Sequence, residues 1–232
     1  MQRKRIPVVT EVRRCVNLQG NLRNISSKMK RTGIFGGTFA PVHNGHIRIA
    51  LKFKEEFDLD RLLIIPASIP PHKEQPKGDT PLHRLEMLKL VFEKDEYKDQ
   101  GIEISDFELN KPGKSYTVDT LKHYYRKDSQ LYLLCGTDML LSFHKWRSVE
   151  EIASLTKLVF TRREEPNPGL DLQIDTQLGY LKESFGLDIH ELKMPALELS
   201  STYIRNNAHK DISGLVPDAV LNYIRNNNLY KG

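Results

Sequence analysis

Cysteine is nearly absent from this chain: Cys15 and Cys135 are the only two in 232 residues, far apart and without metal-ligand spacing. That argues against a disulfide framework or a cysteine metal site and makes a reducing compartment, the cytoplasm, the expected location. No apolar run approaches the roughly 20 residues that a membrane-spanning helix needs. No apolar stretch follows the basic N-terminus as a secretory signal requires, so no membrane partner is expected. Internal repeats and low-complexity tracts are missing as well. So is the G-x-x-x-x-G-K-[ST] phosphate loop, and Gly33–Gly37 does not fit G-x-G-x-x-G. What remains, 39% hydrophobic and 28% charged residues, is the ordinary make-up of a soluble globular protein.

The net charge of +5 is unevenly placed. Residues 1–32 hold nine basic side chains against Glu11 alone, a net of +8, which leaves the rest of the chain at −3. The basic segment reads three ways. It could contact nucleic acid or another anionic surface. It could be an Arg-rich targeting segment, although Pro7 and Gly20 interrupt a long amphipathic helix. Or residues 1–30 are an extension that is disordered or precedes a translation start at Met29, and this last is the expectation. The remainder is net acidic and lacks an aromatic–basic surface motif, so nucleic acid is not an expected partner.

From residue 31 to 232 the sequence alternates strand-like and helix-like text, which predicts one domain built on a parallel sheet with crossover helices. Strands are predicted at Thr32–Phe35, Leu62–Ile65, Ile102–Leu109, Leu131–Cys135, Leu158–Thr161 and Leu187–Leu192. Helices are predicted from Gly45 to Glu56, Pro81 to Phe92 and Thr117 to Arg126, with two more starting at Ser201 and Pro217. Ser68 to Thr80, with three prolines and Gly78, reads as a loop.

The richest stretch runs from Gly33 through Gly36, Gly37, Thr38 and Phe39 to His43-Asn44-Gly45-His46. Glycines after a first strand let backbone approach a ligand where a Cβ would collide. The helix that follows offers unpaired N–H groups and a positive dipole end to phosphate. His43 and His46, three apart, can share a face and hydrogen-bond phosphate oxygens, or offset developing charge if protonated. Each feature taken singly is as often structural. A metal reading of the two histidines needs a third ligand, and none is evident nearby. Near the C-terminus, Ser200, Ser201 and Thr202 stand at a helix start, where hydroxyls cap free N–H groups. Arg205 lies one turn on, placed to reach the same anion as a forked donor. An ordinary capped helix with an exposed arginine is the alternative.

His43-Asn44-Gly45-His46 after Gly36-Gly37-Thr38-Phe39 resembles the HxGH signature of the nucleotidyltransferase superfamily. Leu199-Ser200-Ser201-Thr202-Tyr203-Ile204-Arg205 resembles its second signature, I-S-S-T-x-x-R. Over nearly all of residues 31–231 the chain is similar to the bacterial nicotinate-nucleotide adenylyltransferase family. The similarity is carried by Pro70-Pro71-His72-Lys73, His83-Arg84-Leu85-Glu86-Met87-Leu88, Ser115-Tyr116-Thr117-Val118-Asp119-Thr120, Gly136-Thr137-Asp138, Lys145-Trp146, Val216-Pro217 and Asn228-Leu229-Tyr230. Three positions depart from the family pattern. Ala40 stands where aspartate is usual, beside the turn that aims His43. Arg147 stands where an aromatic residue often follows the tryptophan. Leu199 replaces isoleucine.

The resemblance implies an α/β, Rossmann-like parallel sheet with helices on both faces. It implies transfer of AMP from ATP to nicotinate mononucleotide, with release of pyrophosphate, in NAD biosynthesis. By the same resemblance His43 and His46 are catalytic, and Gly36, Gly37, Thr38, Phe39, Ser200, Ser201, Thr202 and Arg205 bind ATP and its phosphates. Ser115, Thr117 and Trp146 then bind nicotinate mononucleotide. Trp146 has a face suited to stacking on a pyridine ring, though plain packing would also account for it. Lys73 and Asp138 are further candidate nucleotide contacts, against the plainer readings of a solvated loop lysine and a helix cap. Mg²⁺ is expected to arrive with ATP rather than in a dedicated protein site. A homo-oligomer is left open. The alternatives are a sister transferase acting on nicotinamide mononucleotide or phosphopantetheine, or a nucleic-acid-binding protein whose enzyme body is degenerate.

Overall fold

The computed structural model describes residues 29–69, 78–162, 164–165, 167–195 and 199–230. The basic segment before residue 29 and the Pro70-Pro71-His72-Lys73 block, including the candidate Lys73, lie outside the described residues.

Six strands, β1 (Lys30–Gly37), β2 (Arg61–Pro66), β3 (Ile102–Ile104), β4 (Ser129–Gly136), β5 (Thr156–Thr161) and β6 (Ile189–Leu192), form one sheet in the order β3-β2-β1-β4-β5-β6. Every neighbouring pair is parallel. Strand order reverses between β1 and β4, which makes their carboxyl ends the topological switch point where open α/β sheets receive ligands.

The sheet is buried on both faces, and the period-two alternation of its strands sorts side chains between two cores. Leu62 and Ile64 of β2 join one core, Leu63 and Ile65 the other. The first core is closed by α1 (Asn44–Glu56), α2 (Pro81–Phe92) and α9 (Asp218–Asn226). The second is closed by α4 (Thr117–Tyr124), α5 (Thr137–Leu141), α6 (Val149–Leu155) and α7 (Pro168–Phe185). The short helices α3 (Asp95–Lys98) and α8 (Ser201–Asn206) also pack on the first core, through Tyr97 and Ile204. In α1 the buried residues His46, Ile49, Ala50 and Phe53 follow helical spacing. The helix can come down on β1 because position 33 is glycine. A Cβ there would lie 2.5 Å from Leu59 Cδ1 and 2.9 Å from Phe53 Cε1.

Most predicted elements are present, but the third strand is shorter and α3, α5, α6 and α7 have no counterpart among the predicted helices. The third strand stops at Ile104 instead of reaching Leu109. The Ser105 hydroxyl accepts the Phe107 N–H at 3.1 Å, and Asp106 O accepts from Leu109 and Asn110, so local bonds turn the chain out of the ladder. The 18-residue α7 was not predicted. Its signals are in the text: Asn167 caps Leu170 N at 2.9 Å, Pro168 opens the helix, and Gly186 closes it at φ 63°. Only Ile174 and Leu181 are buried, so no apolar stripe announces the helix.

Candidate active site

At the end of β1 the chain turns through Thr38–Val42 and enters α1 with His43 as its N-cap. The two histidines cap the helix reciprocally. His46 N donates to His43 Nδ1 and His43 N donates to His46 Nδ1, each at 3.3 Å. Their rings stack with centroids 3.7 Å apart and both are buried. An Nδ1 that accepts a backbone N–H carries no proton, so each imidazole in this geometry is the neutral Nε2–H tautomer. Of the two sequence readings, a pair of neutral hydrogen-bond donors is the one this arrangement favours. The Phe39 side chain is buried, edge-on to His46 with centroids 5.0 Å apart, so it bears on the site through that ring and its own backbone. A Cβ on Gly36 would meet nothing within 4 Å, so open space borders the end of β1.

The serine–arginine segment latches onto this turn. Ser200 caps α8 by accepting Tyr203 N at 3.1 Å. Ser201 Oγ donates to Pro41 O at 3.0 Å, and Arg205 Nη1 donates to Ala40 O at 2.7 Å. Arg205 Nη2 also donates to Thr202 Oγ1 at 3.1 Å. Asn44 closes the other side, donating from its backbone to Leu215 O and from its side chain to Gly214 O. The turn is thus held through main-chain carbonyls, a kind of support that a side chain at position 40 does not supply.

Arg84, on the buried face of α2, joins the turn after β1 to the segment after β2. It is 1% exposed and donates to Thr38 O at 3.0 Å, Ala67 O at 2.6 Å and Ser68 O at 3.0 Å. Ser68 N donates in turn to Ser115 Oγ at 3.0 Å, and Ser115 N to Ile69 O at 3.2 Å. Ser115 leads into α4, whose first residue is Thr117 and whose N-terminus has no side-chain cap. Trp146 packs at the edge of the second core against Phe143, with Tyr116 beside the same cluster. Asp138 sits exposed in the first turn of α5, directly after β4. Among the described residues, then, the predicted candidates line the carboxyl ends of β1, β2 and β4.

Sequence reasoning missed three supporting residues. Arg84 belongs to a stretch that resembles the family, but the resemblance gives it no role. Its spacing to Leu88 and Val91, both buried, was the available signal that an arginine occupies the core stripe. Asp79 faces Arg84 at 3.7 Å, and its oxygens have no hydrogen-bond partner among the described residues. Burial pushes the Asp79 carboxyl up to about 6, against the opposing pull of Arg84, His83 and Arg205. Burial likewise lowers the Arg84 pKa, with Asp79 opposing. Glu108 accepts from Thr120 Oγ1 at 2.7 Å, and burial raises its carboxyl despite hydrogen bonds from Thr120 and Ser115. Glu108 thus ties the segment before α4 to that helix, while among the described residues Asp79 sits against Arg84.

A parallel sheet with a switch point between β1 and β4, a histidine-capped first helix and a serine–arginine latch define a nucleotidyltransferase class of protein. Residues 34–207 match the family model described as cytidylyltransferase-like. A probable nicotinate-nucleotide adenylyltransferase of Clostridium tetani is 38% identical over 208 residues, spanning 88% of this chain and 100% of the relative. One from Clostridium acetobutylicum is 39% identical over 207 residues, spanning 87% and 100%. The chain belongs to the cytidylyltransferase-like family and, within it, to the nicotinate-nucleotide adenylyltransferases. The fold is shared with Plasmodium falciparum nicotinic acid mononucleotide adenylyltransferase complexed with NaAD, at a TM-score of 0.69 and 17% identity, over 87% of this chain and 97% of that one.

Proposed function

We infer that this chain is a nicotinate-nucleotide adenylyltransferase of NAD biosynthesis, moving AMP from ATP to nicotinate mononucleotide in the cytoplasm. The observation that carries the reading is the direct tie between the histidine turn and the serine–arginine segment, through Ser201 to Pro41 O and Arg205 to Ala40 O. In a chain whose relatives share 38–39% identity over their full length, that tie makes one anion site from two distant signatures.

In the proposed step a phosphate oxygen of nicotinate mononucleotide attacks the α-phosphorus of ATP. The bond from that phosphorus to the bridging oxygen breaks, and pyrophosphate leaves with the electron pair. A phosphate monoester is already a nucleophile, so the work left to the protein is positioning and charge stabilisation. His46 Nε2–H is assigned to the α-phosphate oxygens, where charge rises in the transition state. His43, Ser201, Thr202 and Arg205 are assigned to the triphosphate, with backbone at Gly36, Gly37, Thr38 and Phe39 facing the nucleotide. Arg205 would exchange part of its present bonding for phosphate. The uncapped start of α4 at Thr117, with Ser115, would take the nicotinate carboxylate, and Trp146 the pyridine ring. Asp138 is assigned to the nucleotide because it follows β4 at the switch point.

Among the described residues no group of three or more His, Cys, Asp or Glu is placed to hold a metal. The Nδ1 atoms of His43 and His46 are used as backbone acceptors. Mg²⁺ is therefore proposed to be held through ATP phosphates and water, where it would offset phosphate charge. The test is pyrophosphate release from Mg-ATP with nicotinate mononucleotide, nicotinamide mononucleotide and phosphopantetheine in parallel. Preference for the nicotinate compound supports the reading. Preference for another acceptor keeps the transfer chemistry and overturns the pocket assignment.

A further inference from the structure

The residue after Trp146 is a cation with a defined seat. The guanidinium carbon of Arg147 lies 4.7 Å from the centroid of the Tyr116 ring, over its face. Tyr116 is the N-cap residue of α4, immediately before Thr117, and it packs with Trp146 against the same core. Backbone on both sides of Arg147 is fixed: Trp146 N donates to Phe143 O at 2.9 Å, and Ser148 takes the left-handed conformation, φ 57°, that starts α6.

Arg147 has no carboxylate partner among the described residues. Asp119, in the first turn of α4, pairs with Lys111, and Glu151, in the first turn of α6, pairs with Lys122. A ring face attracts the charge of a guanidinium without consuming its N–H donors. An exposed arginine is therefore held beside an uncapped helix start and a tryptophan, with its forked donors available to an anion.

We propose that Arg147 is a specificity-determining residue whose charge favours the nicotinate acid over the nicotinamide form of the mononucleotide. The inference rests on the pyridine-pocket reading above. Backbone N–H groups can donate to a carboxylate or to an amide oxygen, so they discriminate weakly between near-isosteric groups. A guanidinium pairs bidentately with a carboxylate and has no such interaction with a neutral amide.

The test is steady-state kinetics of the full chain with both mononucleotides, comparing wild type with Arg147→Gln, Arg147→Lys and Arg147→Phe. Arg147→Gln should lower the acid-to-amide ratio of kcat/KM by roughly tenfold, mainly through KM for the acid, with KM for ATP little changed. Arg147→Lys should keep part of the ratio. Arg147→Phe, which preserves packing on Tyr116, should lose the ratio as Gln does. Added salt should move the wild-type ratio toward that of the Gln variant. An unchanged ratio, or an equal loss for both substrates, would overturn the inference and reduce Arg147 to a buttress for Tyr116. If wild type turns over neither mononucleotide, the functional reading itself fails. Wild-type activity with an unmoved ratio overturns only the role of Arg147.

Discussion

The proposed chemistry rests on a few side chains whose roles depend on how their second polar atom is occupied. In that proposal His46 serves as a donor at Nε2, because the His43 N–H holds its Nδ1. Replacing His46 with Ala removes that donor and one half of the capping box. We expect turnover to fall by about 10²-fold or more, with a stability loss of about 1 kcal/mol. Turnover and thermal melting on the same sample check both, and near-normal turnover would remove His46 from the chemistry. Trp146→Ala should raise KM for nicotinate mononucleotide and leave KM for ATP nearly unchanged. A rise confined to ATP would reassign the pocket.

The placement of both histidines and of the serine–arginine segment at two helix starts was legible in the sequence from capping residues, while their roles were implied by the family resemblance. Arg84 was not. A lone arginine in an amphipathic helix reads as solvated, and only its three carbonyl contacts in space show it as a tie between the ends of β1 and β2.

At the scale of elements, the start of α1 is the tightest fit in the site. A Cβ on Gly45 would lie 2.9 Å from His43 Nδ1, closer than side-chain carbons approach. Gly45→Ala should therefore displace the His43 ring and cut kcat by roughly tenfold or more, while the helix, which gains a better former, stays folded. Wild-type kcat in this variant would mean that the reciprocal cap is dispensable. Elements with strong periodicity or clear punctuation were legible: α2 runs from Pro81 to Phe92, as its proline and apolar pattern predict. The misses have local causes. Alternating text through residue 109 looked like strand until the Ser105 hydroxyl turned the backbone. In α7 the burial of Ile174 and Leu181 alone left no face to read.

For the molecule as a whole, the order β3-β2-β1-β4-β5-β6 places residues from positions 36 to 205 around one switch point. Alternation of strands and helices made the parallel sheet legible, but not the strand order, which depends on long-range pairing. Among the described residues no helix is long and apolar enough to cross a membrane.

The buried Asp79 gives the folded state a distinct pH signature. Its carboxyl rises from 3.8 to about 6 on folding, so between those values the folded form binds more protons than the unfolded form. This contribution is fully present below about pH 3.8 and is lost as pH rises through about 6, at up to about 3 kcal/mol. Asp188, held below its usual range by Lys157, acts in the opposite sense, losing stability as pH falls. The two are separated by comparing wild type with Asp79→Asn in urea unfolding across this range. Relative to the variant, wild type should lose stability as pH rises, and a pH-independent difference would contradict the burial argument.

The central claim is that an oxygen of the mononucleotide phosphate attacks the α-phosphorus of ATP. It is tested most directly by mass spectrometry of products formed from Mg-ATP and nicotinate mononucleotide labelled with ¹⁸O in its phosphate. The account predicts a dinucleotide that retains all of the label, together with unlabelled pyrophosphate. Formation of ADP with a phosphorylated mononucleotide, or no dinucleotide from the folded protein, would contradict it.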